Sequence, residues 1–178
     1  MNILLLTGSP HKRGTSALLA DEFTAGAQGA GHEVRRFDAA FSQIGPCFAC
    51  DTCLKNGGIC VQKDDMLRLK ELLHEADMIV FVTPLYYFGM SAQLKSVIDR
   101  FYGINALLAG KKSALMATCA DDEAAAPMDA LVAHYELIMH YLKLRDCGRL
   151  LAFGVSARQE IEKSAYPAQA RAFGRSLK

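Results

Sequence analysis

Four cysteines within a fourteen-residue span, Cys47, Cys50, Cys53 and Cys60, read as C-x2-C-x2-C-x6-C. The first three have the compact spacing with which consecutive thiolates wrap an iron–sulfur cubane. Four-cysteine zinc sites more often pair two C-x2-C knuckles across a longer stretch, so zinc is an alternative, beside free thiols or a disulfide switch. Gly45 before the run and Gly57-Gly58 within it permit the sharp turns that would gather four thiols at one point. Asp64 and Asp65, just beyond, suit the start of a helix, where the dipole favours acidic side chains. Cys119 and Cys147 fall in or beside expected strands and read as small buried hydrophobes.

A second group runs Thr7-Gly8-Ser9-Pro10-His11-Lys12-Arg13-Gly14-Thr15-Ser16 between an apolar run and an amphipathic stretch. Hydroxyls that donate, glycines that let backbone amides approach, and a helix N-terminus near Thr15 together suit an anion such as a phosphate. No G-x-G-x-x-G can be written from this loop, and Gly14 is followed by Thr15 where a Walker loop has lysine. The bland alternative is that Ser9 and Thr15 only cap the helix. A third group, Pro84-Leu85-Tyr86-Tyr87-Phe88-Gly89-Met90, clusters aromatic rings after another apolar run. Rings and turn amides there would suit a flat conjugated ligand, or else a core or subunit contact.

The elements that must position these groups alternate in type. Strands are expected near 2–8, 32–38, 77–83, 111–118 and 149–155, and helices near 15–29, 64–75, 90–107, 127–144 and 164–177. Leu131, Tyr135, Ile138 and Leu142 recur at helical spacing and give one core-facing stripe. This β/α order predicts a parallel sheet with crossover helices, whose ligands sit at the carboxyl ends of the strands. The stretch from Phe41 to Lys63 has neither periodicity and stands out as a long functional loop.

The chain of 178 residues suits one domain, which would bury roughly 70% of its unfolded surface. Twenty basic and nineteen acidic residues are interspersed, so nucleic acid has no electrostatic footprint. No apolar run approaches the ~20 residues of a membrane span, and residues 1–10 show no signal-peptide pattern, so a cytoplasmic location is expected. Neither H-E-x-x-H nor G-x-S-x-G is present, which removes the machinery of the common hydrolases.

The Gly8–Ser16 loop, the Pro84–Met90 loop, and Ala92, Lys95, Asp99 and Arg100 on the next helix resemble the NAD(P)H-dependent FMN reductase family. With the cysteine segment, the likeness is strongest to its iron–sulfur flavoprotein branch and spans about residues 1–155. The resemblance implies a flavodoxin-like α/β fold, a three-layer sandwich around a five-stranded parallel sheet in the order 2-1-3-4-5. One such domain would take in residues 1–178, with the cysteine-rich loop at 41–63.

By matching position, Ser9, Lys12, Thr15 and Ser16 would hold the phosphate of non-covalent FMN, while Pro84, Leu85, Tyr86, Tyr87 and Phe88 would flank its ring. Gly89 joins them on its own chemistry, as a turn with open amides. Cys47, Cys50, Cys53 and Cys60 would hold a [4Fe–4S] cluster. The implied activity passes reducing equivalents from NAD(P)H to a quinone, a flavin or another acceptor, with no side chain needed as catalyst. The alternative is an electron carrier using FMN and the cluster, and a third reading is a flavin-bound thiol sensor. Partners would be a small-molecule or ferredoxin-like acceptor and further copies of the chain, in a homodimer or homotetramer that completes the flavin site. Thr118-Cys119-Ala120-Asp121-Asp122-Glu123 departs from the glycine-containing third loop of the family and reads as a solvated turn.

Overall fold

Ile3–Leu6 and Met78–Val82 are apolar without alternation, the pattern of strands covered on both faces. The computed structural model describes residues 1–178 and places both runs at the centre of one sheet. β1 (Asn2–Thr7), β2 (Glu33–Asp38), β3 (Met78–Pro84), β4 (Lys112–Thr118) and β5 (Arg145–Ala152) pair in the order β2-β1-β3-β4-β5. Every pairing is parallel, so each strand ends on the same edge. The order reverses between β1 and β3, and the loops leaving these two strands open a crevice there. This is the flavodoxin-like arrangement expected from the sequence.

Alternate residues of each central strand feed two separate cores. Leu4, Leu6, Phe81 and Leu115 face α3 (Met66–Glu75), α4 (Ala92–Asp99) and α6 (Asp129–Tyr141) through Leu69, Leu94 and Tyr135. Ile3, Leu5, Val80 and Met116 face the other layer, where α1 (Thr15–Gly29) and α8 (Tyr166–Ser176) contribute Leu19, Phe23 and Ala170. The Leu131, Tyr135 and Leu142 stripe is buried as its spacing implied, with Ile138 partly covered.

The departures from expectation have local causes. The helix read over 90–107 is broken: α4 ends at Asp99, Arg100–Ile104 tightens into a 3-10 turn, and α5 covers only Asn105–Leu108. A Cβ at Gly103 would lie 2.7 Å from the Cβ of Cys53, so this turn is shaped by the cysteine loop packed on it. β5 begins at Arg145 and not Arg149, because it is an edge strand whose charged first half stays exposed, with a register shift opposite Ser113 and Leu115. Cys147 is therefore exposed, correcting its reading as a buried hydrophobe, whereas Cys119 is buried. Two short helices were not legible: α2 (Thr52–Lys55) inside the cysteine loop, and α7 (Arg158–Glu162) after β5.

α1 and α8 meet backbone to backbone. A Cβ at Gly26 would lie 2.0 Å from the Arg171 carbonyl, and one at Gly174 would lie 2.2 Å from the Phe23 carbonyl. The Phe23 and Phe173 rings then pack edge to face with centroids 5.6 Å apart. Glycine costs an isolated helix ~1 kcal/mol relative to alanine, so at both positions close packing outweighs propensity. Gly26→Ala or Gly174→Ala is expected to lower stability by about 1–3 kcal/mol through forced separation of the helices. Gly29→Ala, where nothing lies within 4 Å, should be neutral or mildly stabilising; urea midpoints of the three variants check this contrast.

Candidate functional site

Four loops at the carboxyl ends of the strands enclose a cleft of about 410 Å³. Ser9, His11, Gly14 and Thr15 follow β1; Pro84, Leu85 and Tyr86 follow β3; Thr118, Cys119 and Ala120 follow β4; Val155, Ser156 and Arg158 follow β5. The loops are cross-linked by hydrogen bonds. Gly8 N–H donates to the Val82 carbonyl at 2.8 Å, and Leu85 N–H donates to the Thr118 carbonyl at 2.8 Å. The buried hydroxyls of Thr15 and Thr118 lie 2.9 Å apart. Ser91, fully buried, donates its hydroxyl to the Gly8 carbonyl at 2.7 Å, while its amide donates to the Thr83 hydroxyl at 3.0 Å.

The N-terminus of α1 is open toward this cleft. Gly14 occupies the capping position, no side chain caps the helix, and the first turn carries no acid. Leu18 is the first amide of the helix with a backbone acceptor, the Gly14 carbonyl, which leaves the amides of residues 15–17 without one in the protein. Uncapped amides beside the Ser9 and Thr15 hydroxyls suit a phosphate group.

The aromatic turn is tight. Tyr86 and Gly89 exchange both backbone hydrogen bonds at 3.0 Å, and Tyr87 and Phe88 between them have φ of 45° and 62°. Tyr86 lines the cleft, whereas Tyr87, Phe88 and Gly89 stand outside it, with Tyr87 wholly exposed. Of the residues matched to the phosphate, Ser9 and Thr15 line the cleft and Ser16 is buried behind it. Lys12 does not reach the cleft, because its ammonium sits 4.8 Å from the Phe41 ring centroid in a cation–π contact.

The loop after β4 is not wholly a solvated turn. Thr118, Cys119 and Ala120 line the cleft, and only Asp121, Asp122 and Glu123 are exposed with no lining role. Burial pushes the Cys119 thiol up, which keeps it protonated at neutral pH. Sequence reasoning also missed Ser156 and Arg158. The signal available was their place, since every loop at the carboxyl edge of a doubly wound sheet is a candidate.

Cys47, Cys53 and Cys60 share a second, smaller cavity of about 40 Å³ with Lys70, Arg100 and Tyr102. Cys50 lies outside it, exposed, and the Thr52 hydroxyl and amide draw its thiol down. No three ligating side chains meet as a metal-binding group. Arg100, which lines this cavity, is held by Asp64. Arg100 donates to both Asp64 oxygens at 2.8 and 3.1 Å and to the Gly45 carbonyl at 2.9 Å, with its side chain only 2% exposed.

A model of the NADPH-dependent FMN reductase family matches residues 1–152. The chain belongs to this family. An iron–sulfur flavoprotein of Archaeoglobus fulgidus is 37% identical over 113 residues, covering 62% of this chain and 51% of that protein. An FMN-dependent NADH:quinone oxidoreductase of Thiobacillus denitrificans is 29% identical over 117 residues, with 55% and 57% covered. The chain thus spans about half the length of the curated relatives it matches. An NAD(P)H:quinone oxidoreductase from Methanothermobacter marburgensis superposes with a TM-score of 0.78 at 20% identity, over 99% of this chain and 96% of that one, a likeness of fold.

In this member of the FMN reductase family the Asp64–Arg100 pair generates a clear expectation. Burial alone would raise the Asp64 carboxyl, but Arg100 and the Gly45 and Met66 amides outweigh it and hold it below the ordinary carboxylate range. A lowered value adds stability above the unfolded-state value, and that stability is lost as pH falls through the folded one. Asp64→Asn should cost about 3–5 kcal/mol at neutral pH, by leaving the Arg100 charge without its counter-ion, and should flatten the acid limb of the profile. Thermal midpoints recorded from neutral pH downward for both proteins test it.

Proposed function

We propose that this chain binds FMN in the cleft and passes reducing equivalents from NAD(P)H to a quinone, a flavin or another acceptor. The observation that carries the reading is the uncapped N-terminus of α1, with its hydroxyls, opening into a cleft walled by Pro84, Leu85 and Tyr86. The phosphate would lie on the amides of residues 15–17 and the hydroxyls of Ser9 and Thr15. The ring would lie toward Pro84, Leu85 and Tyr86, where the Tyr86–Gly89 turn presents apolar and aromatic surface. FMN, when bound, supplies the hydride and electron chemistry, and the protein's part is orientation, electrostatics and exclusion of water.

The side chains support that division of labour. Cys119, protonated and donating to the Asp121 carbonyl at 3.3 Å, is a wall and not a nucleophile. Tyr87 and Phe88 project from the cleft mouth, and Leu137 and Tyr141 are likewise exposed on α6. Apolar surface of this kind supports assembly into a homodimer or homotetramer in which a second copy covers the flavin edge. No helix is long and apolar enough to cross a membrane. A small-molecule or ferredoxin-like acceptor fits an open mouth of this kind.

A second reading, an iron–sulfur flavoprotein carrying electrons through FMN and a [4Fe–4S] cluster, draws on three thiols sharing one cavity with the cations of Arg100 and Lys70. Those cations would offset the charge of thiolate ligands. The fourth thiol does not fit as placed, since Cys50 does not line that cavity, and no closed ligand set is formed.

Protein purified without oxygen is expected to show flavin absorbance that bleaches when NADPH is added. Protein that lacks flavin and takes up none on titration with FMN would overturn the proposal. Iron and sulfide measured on the same sample decide the second reading: ~4 of each per chain assigns the cubane, and flavin without either leaves the reductase alone.

A further inference from the structure

Among the side chains lining the cleft, Arg158 bears the one ammonium or guanidinium group. Lys12, the cation that position in the sequence assigns to the phosphate, is held over the Phe41 ring and does not line the cleft. We propose that Arg158 is the cationic ligand of the FMN phosphate, an assignment that rests on the FMN reading above.

Three features of the structure bring Arg158 to the phosphate end of the cleft. The loop after β5 is tied to the loop after β4, with Val155 N–H donating to the Cys119 carbonyl at 2.8 Å and Gly154 N–H to the Asp121 carbonyl at 2.9 Å. α7 then packs on the α1 side of the sheet, since Ile161, fully buried, belongs to the same core as Leu18 and Leu19 of α1. Arg158 precedes Ile161 by three residues, so it shares that face of α7, beside the open end of α1. The apolar wall of Pro84 and Leu85 comes instead from the loop after β3.

The loop is also fixed before any ligand arrives. The Glu160 carboxylate accepts from the Ser156 amide at 2.7 Å, the Ser156 hydroxyl at 2.9 Å and the Ala157 amide at 2.8 Å. Arg158 itself donates only through Nε, to Glu162 at 2.6 Å, which leaves both Nη nitrogens without an acceptor in the protein. Two parallel donors from a guanidinium fork match two phosphate oxygens. Glu162 thus orients the fork without occupying its outer edge.

The test compares FMN with riboflavin, which lacks the phosphate, by quenching of flavin fluorescence on binding. Arg158→Gln is expected to weaken FMN about 10- to 100-fold while riboflavin binds as before, the span of a charge-assisted hydrogen bond. Arg158→Lys should recover part of the loss, Lys12→Gln should leave FMN affinity within about twofold of the parent, and added salt should weaken the parent more than Arg158→Gln. FMN affinity unchanged in Arg158→Gln, or an equal loss for riboflavin, would overturn the assignment. So would unchanged FMN affinity with a KM raised for NADPH but not NADH, which would place Arg158 on the dinucleotide's phosphate. A parent protein that binds neither flavin removes the FMN reading itself, a result distinct from parent-like binding by the variant.

Discussion

The hydroxyl of Ser91 joins the three parts on which the site depends. It donates to the Gly8 carbonyl in the loop after β1, and it accepts from the Leu94 amide at 3.4 Å as the cap of α4. The Ser91 amide meanwhile holds the Thr83 hydroxyl at the end of β3. All of this happens with Ser91 and Thr83 fully buried, where an unpaired polar group would cost about 1–3 kcal/mol. The absence of a Cβ on Gly8 is part of the same arrangement, since a methyl group there would lie 2.3 Å from the Ser91 oxygen. The loop after β1 and the aromatic turn therefore keep a fixed spacing, and the cleft between them is built rather than induced.

The same helix carries that order to the cysteine loop. α4 starts at the Ser91 cap and ends at Asp99, a length of about 12 Å at the usual rise, and Arg100 follows directly. Arg100 binds Asp64 and the Gly45 carbonyl, which brackets the cysteine segment from both sides. Gly103, three residues later, lets Cys53 pack against the turn. The cleft and the cysteine cavity are thus held by opposite ends of one rigid element. The cleft is framed by strand ends, whereas the cysteine segment is irregular but for the short helix α2 that carries Cys53, and Cys50 lies exposed within it.

Much of this was legible because it follows from local pattern. Apolar runs without alternation marked the central strands, and hydroxyls and glycines placed between a strand and a helix marked the loop that lines the cleft at Ser9, Gly14 and Thr15. What escaped depends on contacts distant in sequence. Nothing near Lys12 announces Phe41, and nothing near Arg158 announces a cleft whose other walls are residues 9–15 and 118–120. The break after Asp99 is set by Cys53 across the fold, not by any breaker in the helix other than Gly103. The edge strand β5 was misplaced at its start because exposure on one side of a sheet removes the apolar signal that marks a strand.

The aromatic turn shows how such a site balances strain against position. Two consecutive side-chain-bearing residues, Tyr87 and Phe88, sit in the left-handed region, at roughly 1–2 kcal/mol each. Glycine, which would adopt that conformation freely, stands instead at position 89, where φ is not positive. Sparsely populated conformations persist only where their surroundings over-determine them. Here the paired hydrogen bonds between Tyr86 and Gly89, the Leu85–Thr118 bond and the Ser91 anchor do so. The strain is not repaid by burial within the chain, because Tyr87 is fully exposed and Phe88 is 60% exposed. The two rings are left as exposed apolar surface beside the cleft, the kind of surface that the second copy proposed above would bury.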